Sequence, residues 1–140
     1  MSDVVIFHNP ECGTSRNALG LIRHAGIEPT VIEYLKTPPS KTELKELLVA
    51  MNIGVRKLLR EKGTPFTELD LGNPKWTDDE LLDFIVQHPI LMNRPVVFTA
   101  LGTKLCRPSE AVLELLPAGA LPPFTKEDGD VIVDSGVRRA

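Results

Sequence analysis

The sequence predicts an α/β domain with a mixed sheet flanked by helices, on three observations. Val4-Val5-Ile6-Phe7 is an unbroken β-branched and aromatic run, the composition of a buried strand. Ala18, Leu19, Leu21, Ile22 and Ala25 then recur at helical spacing, and Gly26 supplies a stop. Residues 30–34 (TVIEY) return to a strand pattern. Parallel strands need a long crossover connection, so a strand, a helix and a strand at this spacing predict a parallel βαβ unit.

Pro38-Pro39 closes that unit. Ser40 and Glu43 have capping-box spacing, and Leu44, Leu47, Leu48 and Met51 form the apolar stripe of a helix behind them. A second short helix is expected over residues 55–62, ended by Gly63 and Pro65. Thr77 and Glu80 repeat the capping signature ahead of Leu81, Leu82, Phe84 and Ile85. Residues from about 40 to 88 therefore form a helical insertion.

Val96-Val97-Phe98-Thr99 returns to strand, and Leu101-Gly102 can turn the chain back into Lys104-Leu105-Cys106 as a hairpin. Pro108 and Ser109 fit a helix start, with Ala111, Val112, Leu115 and Leu116 as its buried face. The chain from Pro117 onward is rich in proline, glycine and charge, with one extended piece expected at 131–133. Its charges Lys126, Glu127, Asp128, Arg138 and Arg139 read as solvated surface. Trp76 reads as a packing residue beside the Thr77 cap, His24 as helix surface and His88 as a loop residue. The order βαβ, helical insertion, ββα is that of the thioredoxin-like fold, and residues 1–140 form a single domain of that kind.

Composition narrows the function. A chain of 140 residues, 42% hydrophobic and 25% charged, can bury its own core. The net charge of −3 gives no bulk attraction to nucleic acid or an anionic membrane. No apolar run approaches the roughly 20 residues that span a bilayer, and the start has neither the basic nor the apolar part of a signal peptide. Two cysteines make no disulfide framework, and with three histidines they show no metal-ligand spacing. A cytoplasmic protein is expected, where thiols stay reduced.

Cys12 falls in the connection from the first strand to the first helix. Unpaired N–H groups and the macrodipole favour negative charge there. An unperturbed thiol near pKa ~8.5 is only a few per cent ionised at neutral pH, so a fall to ~6.5 would make most of it thiolate. His8 and Arg16, four residues to either side, are candidate helpers. The competing reading, an apolar filler, fits poorly with a strand-to-helix turn flanked by Gly, Thr, Ser and basic residues.

Ser15 occupies the place of a second cysteine, so the motif is Cys-Gly-Thr-Ser and the site cannot resolve a mixed disulfide locally. Either Cys106 or an external thiol such as glutathione must do so, and Cys106 reads more readily as a buried strand cysteine. The phosphatase loop C-x-x-x-x-x-R is absent, because Ala18 and Val112 stand where its arginine would fall.

Three separated segments carry a resemblance. His8-Asn9-Pro10-Glu11-Cys12-Gly13-Thr14-Ser15-Arg16-Asn17 closely resembles the active-site segment of the glutaredoxin-coupled arsenate reductases. So do His88-Pro89-Ile90-Leu91-Met92-Asn93-Arg94-Pro95 and Gly102-Thr103-Lys104-Leu105-Cys106-Arg107-Pro108-Ser109-Glu110. The similarity covers nearly the whole chain, including Phe124-Thr125-Lys126-Glu127-Asp128-Gly129. It implies reduction of arsenate to arsenite through a thiol–arsenate adduct on Cys12, with His8 near the thiol and an oxyanion site of Arg60, Arg94 and Arg107. It further implies no bound cofactor, electrons from glutathione and glutaredoxin, and a monomer. Pro95 is expected in the cis form opposite the cysteine, with Ser15 and Arg16 in support. A doubly charged tetrahedral oxyanion suits the planar guanidinium fork.

Two other functions fit the same fold. One is a thiol-sensing regulator that binds RNA polymerase, although such sensors rely on the C-x-x-C that Ser15 breaks. The other is a glutathione-dependent thiol reductase with a different substrate.

Overall fold

A computed structural model describes residues 4–117 and 123–132. These divide into two compact units, one from the described residues of 1–33 and 94–140, the other from Tyr34–Asn93.

In the first unit, β1 (Val5–His8), β2 (Thr30–Glu33), β3 (Val96–Thr99) and β4 (Gly102–Leu105) form one sheet in the order β2-β1-β3-β4. β1 and β2 run parallel with His8 opposite Glu33, while β3 is antiparallel to both β1 and β4. Helix α1 (Gly13–His24) supplies the crossover from β1 to β2, as the spacing of Ala18, Leu21 and Ile22 predicts. These three side chains pack with Val4, Ile6, Val97, Cys106, Val112, Leu115 and Leu116 into one apolar core. Because strand side chains alternate, His8 shares the face of Ile6, which is the face that α1 covers.

The segment expected as the last helix is a 3₁₀ helix, Ser109–Leu115. Its three-residue turn explains the difference. Ser109, Val112 and Leu115 are all buried at intervals of three, which a 3₁₀ helix stacks on one side. Thr99 Oγ1 donates to the Leu115 carbonyl at 2.7 Å and ties this helix to β3. At the β3–β4 turn Gly102 has φ +146, a conformation that favours glycine. β4 begins there and ends at Leu105, so Cys106 lies just past the strand rather than within it.

Two short strands, β5 (Phe124–Thr125) and β6 (Val131–Ile132), pair antiparallel. The extended piece expected at 131–133 is therefore half of a hairpin, and Phe124 opposite Ile132 is its other half. Val133, Arg138 and Arg139 lie outside the described residues.

The second unit holds α2 (Lys41–Met51), α3 (Val55–Leu58) and α4 (Asp78–Gln87), followed by a 3₁₀ turn, Pro89–Leu91. Both predicted capping boxes form: Ser40 with Glu43 starts α2, and Thr77 with Glu80 starts α4. Lys41 joins the two helices through Asp79 and Asp83, each at 2.8 Å. Trp76 packs edge-on against Phe84 at 4.9 Å between ring centres. Helix α3 is shorter than the expected 55–62. Leu59 turns extended and bridges to Met92, and the Arg60 N–H donates to the Leu91 carbonyl at 2.8 Å. Leu58 and Leu59 are both buried, and an extended exit buries the second without another helical turn. Arg60 thus stands on an extended segment and not on a helix.

Candidate active site

The loop from β1 to α1 is shaped by its own short bonds. Asn9 Oδ1 accepts from the Glu11 N–H at 2.9 Å, and the Asn9 carbonyl accepts from the Cys12 N–H at 3.0 Å. Cys12 then takes the extended conformation of an N-cap residue, with φ −101 and ψ 120. Its side chain closes no regular cap hydrogen bond, and of the first-turn backbone groups the Ser15 N–H is the one that favours its thiolate.

Arginines complete the surroundings. Arg107 Nη1 lies 3.8 Å from Cys12 Sγ and donates to the Arg94 carbonyl at 2.9 Å. Arg94 is buried, its guanidinium helps lower the Cys12 thiol, and the Arg94–Pro95 peptide is cis, as expected for Pro95. The Arg107–Pro108 peptide is cis as well, which no feature of the sequence indicates. Burial pushes the Cys12 thiol up, but the Ser15 backbone N–H and the Arg94 and Arg107 guanidinium groups outweigh it. The thiol therefore ionises below its ordinary range.

His8 and Ser15 form a buried pair, with Nδ1 and Oγ 2.6 Å apart. Ser15 Oγ also accepts from the Asn9 N–H at 3.1 Å. Burial pushes the imidazole down, Glu33 opposes this, and Arg23 and Arg16 add to it, so the net shift is downward. A neutral imidazole at neutral pH follows. A Ser15 hydroxyl that donates to Nδ1 leaves the ring proton on Nε2, and one that accepts from Nδ1 requires the other tautomer.

Arg16 interacts electrostatically with Cys12 and also holds partners that its position in the sequence does not indicate. Its Nε and Nη2 grip both oxygens of Glu127 at 2.8 Å, and its Nη1 donates to the Pro10 carbonyl at 2.7 Å. Glu127 and Lys126 are accordingly not simple solvated charges, since Lys126 pairs with Glu110 at 3.2 Å. Sequence reasoning missed both pairs, which join positions more than a dozen residues apart with no local signal.

Cys106 is fully buried in the core, and burial pushes its thiol up to about 12, with Lys104 working in the opposite direction. It is a core side chain. Arg60 is half-buried in the Tyr34–Asn93 unit, where its carbonyl accepts from Thr64 Oγ1 at 2.6 Å. An open cavity of about 780 Å³ in that unit, lined by Leu48, Val49, Ile53, Asp78 and Asp79, contains none of the expected site residues. Among the described residues no group of three His, Cys, Asp or Glu side chains could hold a metal ion.

The cysteine, the two arginines and the cis-proline thus sit in one unit, each on the segment that carried the resemblance. Residues 7–115 match the model of the ArsC family. The chain belongs to the ArsC family. It is 59% identical over 136 residues to a protein of Rhizobium meliloti (strain 1021) named arsenate reductase, covering 97% of each chain. An Escherichia coli protein of the same name is 59% identical over 139 residues, covering 99% of each. Among solved structures, an arsenate reductase from Vibrio cholerae superposes with a TM-score of 0.77 at 43% identity, covering 81% of this chain and 97% of that one. A putative arsenate reductase from Yersinia pestis gives 0.76 at 42% identity, covering 80% and 99%. ArsC membership explains why the three segments recur together, and it fits the thioredoxin-like order of the sheet. The β5–β6 hairpin lies beyond the stretch matched by the ArsC family model.

Proposed function

We propose that this protein reduces arsenate to arsenite, with Cys12 as nucleophile and glutathione with glutaredoxin as the source of electrons. The observation that carries the reading is the pair of guanidinium groups acting on one thiol: Arg107 at 3.8 Å from Sγ, and Arg94, which also favours the thiolate. Such groups favour the thiolate and remain available to an oxyanion that approaches it.

In the proposed reaction the Cys12 thiolate attacks the arsenic atom and a hydroxide leaves as water, with Arg94 and Arg107 neutralising the remaining oxygens. Arg60 completes the oxyanion site in this proposal. His8 and Ser15 act on the nucleophile by holding the first turn of α1. A glutathione thiol then attacks the adduct, a second thiol removes the glutathione, and arsenite departs. The balance is arsenate plus two glutathione thiols giving arsenite, one glutathione disulfide and water, with two electrons passing from sulfur to arsenic. Cys106, buried with its thiol at about 12, does not supply the second thiol, so that sulfur comes from outside the chain.

The reading extends to the whole protein. It works as a monomer in the cytoplasm, needs no bound cofactor, and is one domain with the helices of residues 34–93 inserted. No helix among the described residues is long and apolar enough to cross a membrane.

The test is NADPH consumption with glutathione, glutathione reductase and glutaredoxin, with and without arsenate, for the wild type and Cys12→Ser. Arsenate-dependent oxidation that disappears in a folded Cys12→Ser variant is the expected result. Absence of any arsenate stimulation in the wild type would move the function to another thiol substrate or to sensing.

A further inference from the structure

The β5–β6 hairpin is fastened along α1 at several points. Its Glu127 carboxylate takes both oxygens to Arg16, and the Glu127 N–H donates to Asn17 Oδ1 at 3.1 Å. Phe124 packs edge-on against His24 at 5.4 Å and sits so close to Gly20 that a Cβ there would lie 2.9 Å from Cζ. Lys126, with 14% of its side chain exposed, pairs with Glu110 on the 3₁₀ helix.

The same arrangement reaches the nucleophile loop. Arg16 Nη1 donates to the Pro10 carbonyl, two residues before Cys12, while its other two nitrogens hold Glu127. The planar guanidinium fixes these directions relative to one another, so the position of Glu127 sets the position of the Pro10 carbonyl. Glu127 Oε1 also stands 3.9 Å from where a Cβ on Gly13 would be, at the first residue of α1. With its charge matched by this carboxylate, Arg16 is a brace and not an anion ligand.

We propose that the β5–β6 hairpin is a strap whose Glu127, acting through Arg16, holds the loop of Pro10 and Cys12 in the shape that the reaction needs. This inference rests on Cys12 being the nucleophile and makes Glu127 and Arg16 positioning residues for it. Without the brace, the Pro10 carbonyl turns toward water, and the sulfur drifts from the Ser15 N–H and from Arg94 and Arg107.

The test uses the full chain and four variants: Glu127→Gln, Arg16→Ala, the two combined, and the exchange Arg16→Glu with Glu127→Arg. The first readout is the rate of Cys12 alkylation by iodoacetamide as a function of pH, which requires no arsenate. Each single variant should slow alkylation at pH 7 by about three- to tenfold as the thiolate fraction falls. The double variant should be no slower than either single one. The exchange should restore the thermal midpoint but not the alkylation rate, because a glutamate at position 16 cannot donate to the Pro10 carbonyl. In the arsenate assay kcat should fall by a similar factor with KM within about twofold, the pattern of a lost positioning contact.

Unchanged alkylation profiles in Glu127→Gln and Arg16→Ala would overturn the proposal, as would full recovery of alkylation in the exchange. A rise in the KM for arsenate with kcat intact would overturn it too, by making Arg16 an oxyanion ligand. The two single variants alter exposed side chains on different elements, so each stands as a separate test. Lack of arsenate turnover in the wild type would count against the proposed function alone, since the alkylation result is read without it.

Discussion

His8 Nδ1 and Ser15 Oγ meet at 2.6 Å in a buried setting, joining the end of β1 to the first turn of α1. Through that bond a strand residue decides where a helix begins. Ser15 Oγ accepts the Asn9 N–H as well, so one hydroxyl satisfies two groups that would otherwise be buried without partners.

Replacing Ser15 by alanine strands both of those groups. Chemical denaturation should show a loss of about 1–3 kcal/mol, the cost of leaving buried polar atoms unsatisfied. A variant as stable as the wild type would mean that the bond carries no net stability.

The same pair gives stability a pH dependence. His8 titrates below 6.5 in the folded chain because burial disfavours its charge, with Arg23 and Arg16 adding to this against Glu33. Between the folded value and about 6.5 the unfolded chain therefore binds more protons, and stability rises with pH there. Its contribution is complete above 6.5 and is lost as the pH falls through the folded value. Denaturation curves from pH 7 to 5 should show this slope in the wild type and a flatter one in His8→Gln.

The two thiols should differ sharply in reactivity. Cys12 is partly exposed and ionises below its usual range, whereas Cys106 is buried with its thiol at about 12. Iodoacetamide at pH 7.5 should label one site in the native protein and two after denaturation. Mass spectrometry locates the label, and rapid native labelling of Cys106 would contradict its place in the core.

Arg94 tests the guanidinium requirement. Arg94→Lys keeps the charge and loses the fork, so arsenate turnover should fall by about 10²-fold, the scale of one lost oxyanion donor. Steady-state kinetics at saturating glutathione would reveal it. Wild-type rates in this variant would reduce Arg94 to a point charge.

Gly20 offers a test by packing. Glycine to alanine inside a helix normally stabilises by about 1 kcal/mol. Here the added methyl would meet the Phe124 ring at 2.9 Å, so the melting temperature should not rise and the hairpin should shift. A clear gain in stability would show that Phe124 yields without cost.

How far the sequence could be read depended on the range of the signal. Val4 to Phe7, the stripe of Ala18, Leu21 and Ile22, and the Ser40 and Thr77 capping boxes are local patterns, and each produced the expected element. Leu59 and Ser109 misled because burial three residues apart, or side by side, fits more than one backbone geometry. The place of Cys12 at the start of α1 and the cis form at Pro95 were legible from motif and resemblance. Glu127 was not, because nothing near it in the chain indicates that its partner is 111 positions away.

The sealing of Cys106 also bears on damage. Many thiol enzymes escape peroxide by folding a sulfenic acid into an internal disulfide, from which a reductant later recovers them. This chain has two cysteines, and one of them is locked in the core with its thiol at about 12. A Cys12 sulfenic acid therefore finds no second thiol at hand within the molecule for a disulfide. Capture by a small external thiol is the disulfide route left to it before irreversible oxidation to the sulfinic acid. Under the proposed reaction, the protein's survival under oxidative stress would draw on the same thiols that supply its electrons.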